Sequence, residues 1–163
     1  MSEKTIVSFV CMGNICRSPT AEVIFKKCVE EHHLSTYFHI DSFATHSYHI
    51  GKSPDERAII TGAKFGYDLT PLKAQKITLD VLKTSHYVLA MDKNNISHLQ
   101  QEFGPKNTAS VELFLNYHSF MSGADLPDPY YEDNHAFNRV VQLAEDAALG
   151  LIEHIREQRQ IQL

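Results

Sequence analysis

Four short apolar runs, rich in the Val, Ile, Leu, Phe and Tyr side chains that suit a pleated surface, set the fold class of this chain. They span Thr5 to Val10, Tyr37 to Ser42, His86 to Met91 and Ser110 to Phe114. Segments with helical spacing lie between them, and such alternation is the pattern of parallel strands joined by crossover helices. The expected fold is α/β, a small four-stranded parallel sheet with helices on both faces. With 163 residues and no repeat or Gly/Ser linker, the expectation is a single domain over residues 1–163.

Helix starts are marked by Ser18-Pro19 and by Ser53-Pro54, where Glu56 completes a capping-box pattern, and Gly66 suits a helix stop. A further helix is predicted from Lys93 to Phe103 before Gly104-Pro105, with a short turn near Thr78 to Leu82. From His135 to about Gln158, Phe137, Val140, Val141, Ala144, Ala147, Ala148, Leu151 and Ile155 recur at helical spacing, a stripe that should pack on the sheet.

Fifteen basic and 20 acidic residues leave a formal charge of -5, which offers no global attraction to nucleic acid. No run approaches the roughly 20 apolar residues of a membrane span, and the opening MSEKTIVSFV places charges where a signal peptide needs an apolar core. A cytoplasmic location is expected, with export independent of a signal as the alternative; oligomeric state is not legible. Three cysteines are too few for a disulfide framework, and Cys11 and Cys16 lack the companions of a zinc site. The histidines, including the His32-His33 and His46, His49 pairs, show no ligand pattern and are expected to be solvated, while Cys28 is expected as buried filler in the first helix.

Ligands of open parallel sheets collect beyond the carboxyl ends of the strands. There stand Cys11 after the first strand, Ser42 at the end of the second, Asp92 after the third and the loop SFMSGADLPDPYYEDN after the fourth. Between Cys11 and Ser18 the chain must turn from strand to helix, and Gly13 and Asn14 tolerate unusual backbone angles. A loop of this kind, made by Met12, Gly13, Asn14, Ile15, Cys16 and Arg17, can converge its N–H groups on an oxyanion before a helix N-terminus. Arg17 adds a planar fork that holds two phosphoryl oxygens, and the same field favours a thiolate at Cys11. A strand-end cysteine is by itself more often a small buried hydrophobe. Asp125, Asp128 and Asp133 all offer a carboxylate in the late loop, and spacing does not choose between them.

The string VCMGNICRSP, with DPYY at Asp128 to Tyr131, resembles the low-molecular-weight protein tyrosine phosphatases, and the resemblance extends through DSFATHSYHIG, DERA, YVLAMD and the last helix. It implies hydrolysis of phosphotyrosine in proteins through a phosphocysteine, with inorganic phosphate as product and without metal or other cofactor. By that resemblance Cys11 is the nucleophile, Arg17 the phosphoryl clamp and Asp128 the general acid. Pro127 and Pro129 restrict the backbone around that acid. Asn14 and Ser42 match loop-supporting positions, and Met12, Tyr48, Tyr130 and Tyr131 fall where the family lines an aromatic slot. Ser18 has two possible duties, capping its helix or hydrogen-bonding the Cys11 sulfur. Cys16, five residues on, is a candidate resolving thiol that protects an oxidised Cys11.

Two departures bear on the site. LKAQK at Leu72 to Lys76 stands where relatives often read HxARQ, so Leu72 and Gln75 replace a histidine and an arginine and weaken an expected support of the loop. DSFAT replaces DSAGT and sets Phe43 beside Ser42, with an expected effect on cleft shape. The rival readings are arsenate reduction on the same fold and a non-catalytic phosphotyrosine-binding module; no cysteine follows Cys28, and both nucleophile and acid are present.

Overall fold

The computed structural model describes residues 3–159, so the outermost residues of the expected 1–163 domain, 1–2 and 160–163, lie outside the described part. Four strands, β1 (Thr5–Cys11), β2 (Phe38–Ala44), β3 (Tyr87–Ala90) and β4 (Val111–Leu113), form one parallel sheet in the order β2-β1-β3-β4. Each expected run overlaps its strand, but β1 continues to Cys11 and β2 to Ala44, and Tyr37 falls in a short 3-10 turn at Ser35–Tyr37. The central position of β1 explains its nearly continuous burial: it has a strand on each side and helices above and below.

The helices are α1 (Arg17–Glu31), α2 (Glu56–Lys64), α3 (Leu79–Thr84), α4 (Lys93–Phe103) and α5 (Asn134–Arg159). The main core packs α1 and α5 on one face of the sheet, where Phe9 meets Phe25 and Phe114 edge-to-face at centroid distances of 5.7 and 5.1 Å. Truncating such a ring to alanine costs about 3–5 kcal/mol. All eight stripe residues predicted for the last helix are buried. Gly150 lets that helix touch the turn at Tyr117, since a Cβ there would overlap the Tyr117 carbonyl oxygen.

On the other face Val10, Phe43, Ile77, Leu82, Val88 and Leu99 make a second cluster with α3 and α4. Phe43 therefore does not shape the cleft as expected. Strand alternation turns it away from Ser42 into this core. A third cluster sets Ile15 and Cys16 against Ala58 of α2, Leu69, Ala74 and Phe137, and so anchors the underside of the loop after β1.

Candidate active site

That loop leaves β1 at Cys11 and enters α1 at Arg17, two residues before Pro19, the expected first helical position. Asn14 takes the left-handed conformation, with φ 57°, which few side chains other than asparagine accept without cost. Gly13 is required for space instead: a Cβ would lie 2.9 Å from the His49 ring. Backbone bonds tie the neighbouring segment to the loop, Thr45 N–H donating to the Cys11 carbonyl at 2.9 Å, His46 N–H to Met12 at 3.0 Å and Asp55 N–H to Ile15 at 2.8 Å.

Ser18 is not the helix cap. Cys16 holds that position without a side-chain bond, and the buried Ser18 hydroxyl lies 3.0 Å from the Cys11 sulfur. The Asn14 N–H also points at that sulfur, at 3.2 Å. Asn14 Nδ2 donates to Ser18 Oγ at 2.8 Å and to Ser42 Oγ at 2.9 Å, while its Oδ1 accepts the Gln75 N–H at 3.0 Å. Gln75 Nε2 donates to the Ser42 carbonyl at 3.0 Å. The segment that lacks the expected histidine and arginine thus still supports the loop, because the bond to Asn14 comes from its main chain and Gln75 adds one of its own.

Arg17 is 3% exposed and anchored through one nitrogen: Nη1 donates to Asp92 Oδ2 at 2.7 Å and to the Leu126 carbonyl at 2.8 Å. Both protons of that nitrogen are used, and of the nitrogens left for a ligand Nη2 lies 3.6 Å from Asp128 Oδ2. Burial opposes its charge, but Cys11 and Asp92 more than offset this and raise the guanidinium above its ordinary range. Asp92 serves two elements. Its Oδ1 caps α4 by accepting from Asn95 N–H at 2.8 Å, and its Oδ2 takes the arginine.

The three carboxylates of the late loop, alike in sequence, separate in space. Asp125 accepts the Lys93 N–H at 2.9 Å, and Asp133 caps the start of α5 through His135 and Ala136. Only Asp128 of the three lines the cavity, its Oδ1 accepting the Tyr130 N–H at 3.1 Å. Arg57, which the sequence does not single out, straps this loop from α2: it donates to the Tyr130 carbonyl at 2.9 Å and lies over the Tyr130 and Phe137 rings. Asp55, not Ser53, caps α2 and holds Arg57 in place. Burial opposes the Asp55 charge, yet hydrogen bonds from the Arg57 side chain and main chain prevail and hold its carboxyl below the usual range.

The cavity, about 290 Å³, has Cys11, Gly13 and Arg17 at its base, and Met12, Tyr48, Tyr130 and Tyr131 on its walls together with His49. His46 and His49 are half-buried instead of solvated, His46 stacking on Tyr48 at 5.1 Å and lying tilted against His98 at 4.1 Å. Cys16 also borders the cavity, and burial pushes its thiol well above the ordinary range, which keeps it protonated. Cys28 is buried as expected, and among the described residues no three His, Cys, Asp or Glu side chains are grouped to hold a metal ion.

Fold and site together define an α/β protein with a loop after its first strand that carries a cysteine and an arginine into one cavity. A sequence profile for the low molecular weight phosphotyrosine protein phosphatases matches residues 6–161, and the chain belongs to that family. It is 35% identical to the low molecular weight protein-tyrosine-phosphatase YfkJ of Bacillus subtilis over 95% of this chain and 98% of that one. To the low molecular weight phosphotyrosine protein phosphatase of Sus scrofa it is 36% identical, over 92% and 95% of the two chains. The crystal structure of YfkJ superposes with a TM-score of 0.91 at 33% identity, covering 98% of this chain and 99% of that one. The protein tyrosine phosphatase of Entamoeba histolytica, crystallised with Hepes in its active site, gives 0.90 at 32% identity, covering 96% and 99%.

Proposed function

We propose that this chain hydrolyses phosphotyrosine in proteins, and aryl phosphates generally, as one catalytic domain working in the cytoplasm. The reading is carried by one observation: the Cys11 sulfur, the free nitrogen of Arg17 and Asp128 converge on one cavity with aromatic walls. Sulfur attacks phosphorus in line, and the bond to the phenolic oxygen breaks. Asp128 gives that oxygen a proton, so tyrosine leaves neutral. Arg17, already held by Asp92 and Leu126, meets the equatorial oxygens where charge gathers and needs little reorganisation to do so.

In the second half, water adds to phosphorus, its proton passes to Asp128, and the sulfur leaves with the electron pair of the S–P bond. The Asn14 N–H and Ser18 hydroxyl receive that charge. Inorganic phosphate is the product. Tyr48, Tyr130, Tyr131 and Met12 form the slot for the aryl ring, which can stack against them. Arsenate reduction would need further cysteines well downstream or an external thiol to close its cycle, and no cysteine follows Cys28. The test is turnover of p-nitrophenyl phosphate and of a phosphotyrosine peptide in chelator-treated buffer, with arsenate reduction assayed beside it. Turnover absent in Cys11→Ser and present in the parent supports the reading; arsenate reduction without ester hydrolysis would replace it.

A further inference from the structure

Glu22 lies on α1, is 3% exposed, and takes no part in the steps above. Its Oε1 accepts the Ser42 hydroxyl at 2.6 Å and its Oε2 pairs with Lys26, one turn further along the helix. A carboxylate accepts and never donates. Ser42 must therefore spend its single proton on Glu22, and its lone pairs are left for Asn14 Nδ2. The other Nδ2 proton goes to Ser18, since the Gln75 N–H already claims Oδ1. Ser18, accepting from Asn14, then has one proton to place, with the Cys11 sulfur at 3.0 Å and the Phe43 carbonyl at 3.4 Å. Every link is thus fixed in direction: the Asn14 amide donates both ways, toward Ser42 and the buried carboxylate at one end and toward Ser18 and the nucleophile at the other.

We propose that Glu22 is a positioning residue: with its charge balanced by Lys26, it fixes the Ser42 hydroxyl and, through Asn14, holds the Ser18 proton on the Cys11 sulfur as that sulfur leaves phosphorus. Without this acceptor the Ser42 proton competes for Asn14 Oδ1. That frees the amide to turn and lets Ser18 swing to Phe43. The proposal rests on the reading of Cys11 as nucleophile and Ser18 as its donor. It concerns the step in which water bonds to phosphorus, the S–P electron pair returns to sulfur and the water proton goes to Asp128.

Rapid mixing of the full chain with p-nitrophenyl phosphate tests it. Glu22→Gln should lower kcat about tenfold, the size of one charge-assisted hydrogen bond, with KM falling alongside it and kcat/KM changed less than about twofold. Because breakdown slows more than formation, the nitrophenol burst should grow toward stoichiometric. Added to Ser18→Ala, Glu22→Gln should cause no further loss, since both act through one chain of bonds. Glu30→Gln, exposed on the same helix, should match the parent. If Glu22→Gln does not fold, Glu22→Asp reads the same burst. An unchanged burst in the Glu22 variant beside an enlarged one in Ser18→Ala, or losses that multiply in the double variant, overturns the proposal and leaves the site reading intact. An unchanged burst in Ser18→Ala overturns the site reading as well.

Discussion

The loop from Cys11 to Ser18 and the loop that carries Asp128 face each other across one cavity, yet they are held very differently. In the first, Asn14, Arg17 and Ser18 are each at most 3% exposed, and the polar side chains bind one another, the side chains of Ser42 and Asp92, or the backbone at Gln75 and Leu126. In the second, the Asp128 side chain is 34% exposed, and the loop is pinned at Leu126, Tyr130 and Asp133 with exposed residues between. On the proposed reading the first loop is the oxyanion cradle and must be rigid, because donors that reorganise during reaction stabilise little. Asp128, as the proposed acid, must meet leaving groups that differ in shape and admit water after they depart. Order is concentrated where charge develops and relaxed where the substrate varies.

The contrast predicts variants that separate activity from stability. Asp128→Asn should slow phenyl phosphate by about 100- to 10,000-fold, the usual worth of a positioned general acid, and should spare esters with very acidic leaving groups. Its Tm should not move, as measured by thermal unfolding. Equal loss in Asp125→Asn would break the assignment, because Asp125 is committed to the α4 main chain.

Asn14→Ala should lose both. It removes the donors to Ser18 and Ser42, strands the Gln75 N–H and forces alanine to φ 57°, which together cost about 2–4 kcal/mol and about tenfold or more in kcat. Chemical denaturation beside steady-state kinetics checks the pair; a stable but inactive Asn14→Ala would erase the distinction between the two loops.

Cys16 sharpens the comparison within the rigid loop. Because burial keeps its thiol protonated, iodoacetate at pH 7–9 should label Cys11 and leave Cys16 untouched, as peptide mass spectrometry would report. If Cys16 resolves a sulfenic acid on Cys11, peroxide inactivation should be reversed by dithiothreitol in the parent and largely irreversible in Cys16→Ser. Equal recovery in both would leave Cys16 as packing against Ala58 and Leu69.

The smallest effect is expected at Asp55, which caps α2 and steadies Arg57 behind the acid loop. Asp55→Ala should cost about 1 kcal/mol at pH 7. Since the folded protein depresses this carboxyl, the contribution is present above the ordinary carboxylate value of about 3.9 and is lost as pH falls through the lower folded value. The difference between parent and variant should therefore shrink below about pH 4; a difference that persists there would mean that Asp55 acts through packing.

Features set by neighbouring residues were the legible ones. Short apolar runs located all four strands, the stripe from Phe137 to Ile155 located α5, and the spacing from Cys11 to Arg17 located the loop. Helix caps were misread by two positions, Ser18 for Cys16 and Ser53 for Asp55, because whether a hydroxyl caps depends on competing partners that tertiary structure supplies. Ser18 turns inward to sulfur for that reason. The duties of Asp92, Arg57 and Gln75 were invisible, since their partners lie 75, 73 and 61 residues away along the chain. The walls at Tyr48, Tyr130 and Tyr131 came from family likeness, and His49 was missed because a lone histidine carries no spacing signal.

The account turns on a phosphoryl group passing through Cys11. Quenching the enzyme with denaturant milliseconds after mixing with a phosphotyrosine peptide, followed by digestion and mass spectrometry under mildly alkaline conditions that preserve the S–P bond, reads that directly. Phosphate should appear on the peptide containing Cys11, rising with the tyrosine burst and accumulating further in Ser18→Ala. Phosphate on another residue, or turnover with no phosphoenzyme at any time point, would contradict it.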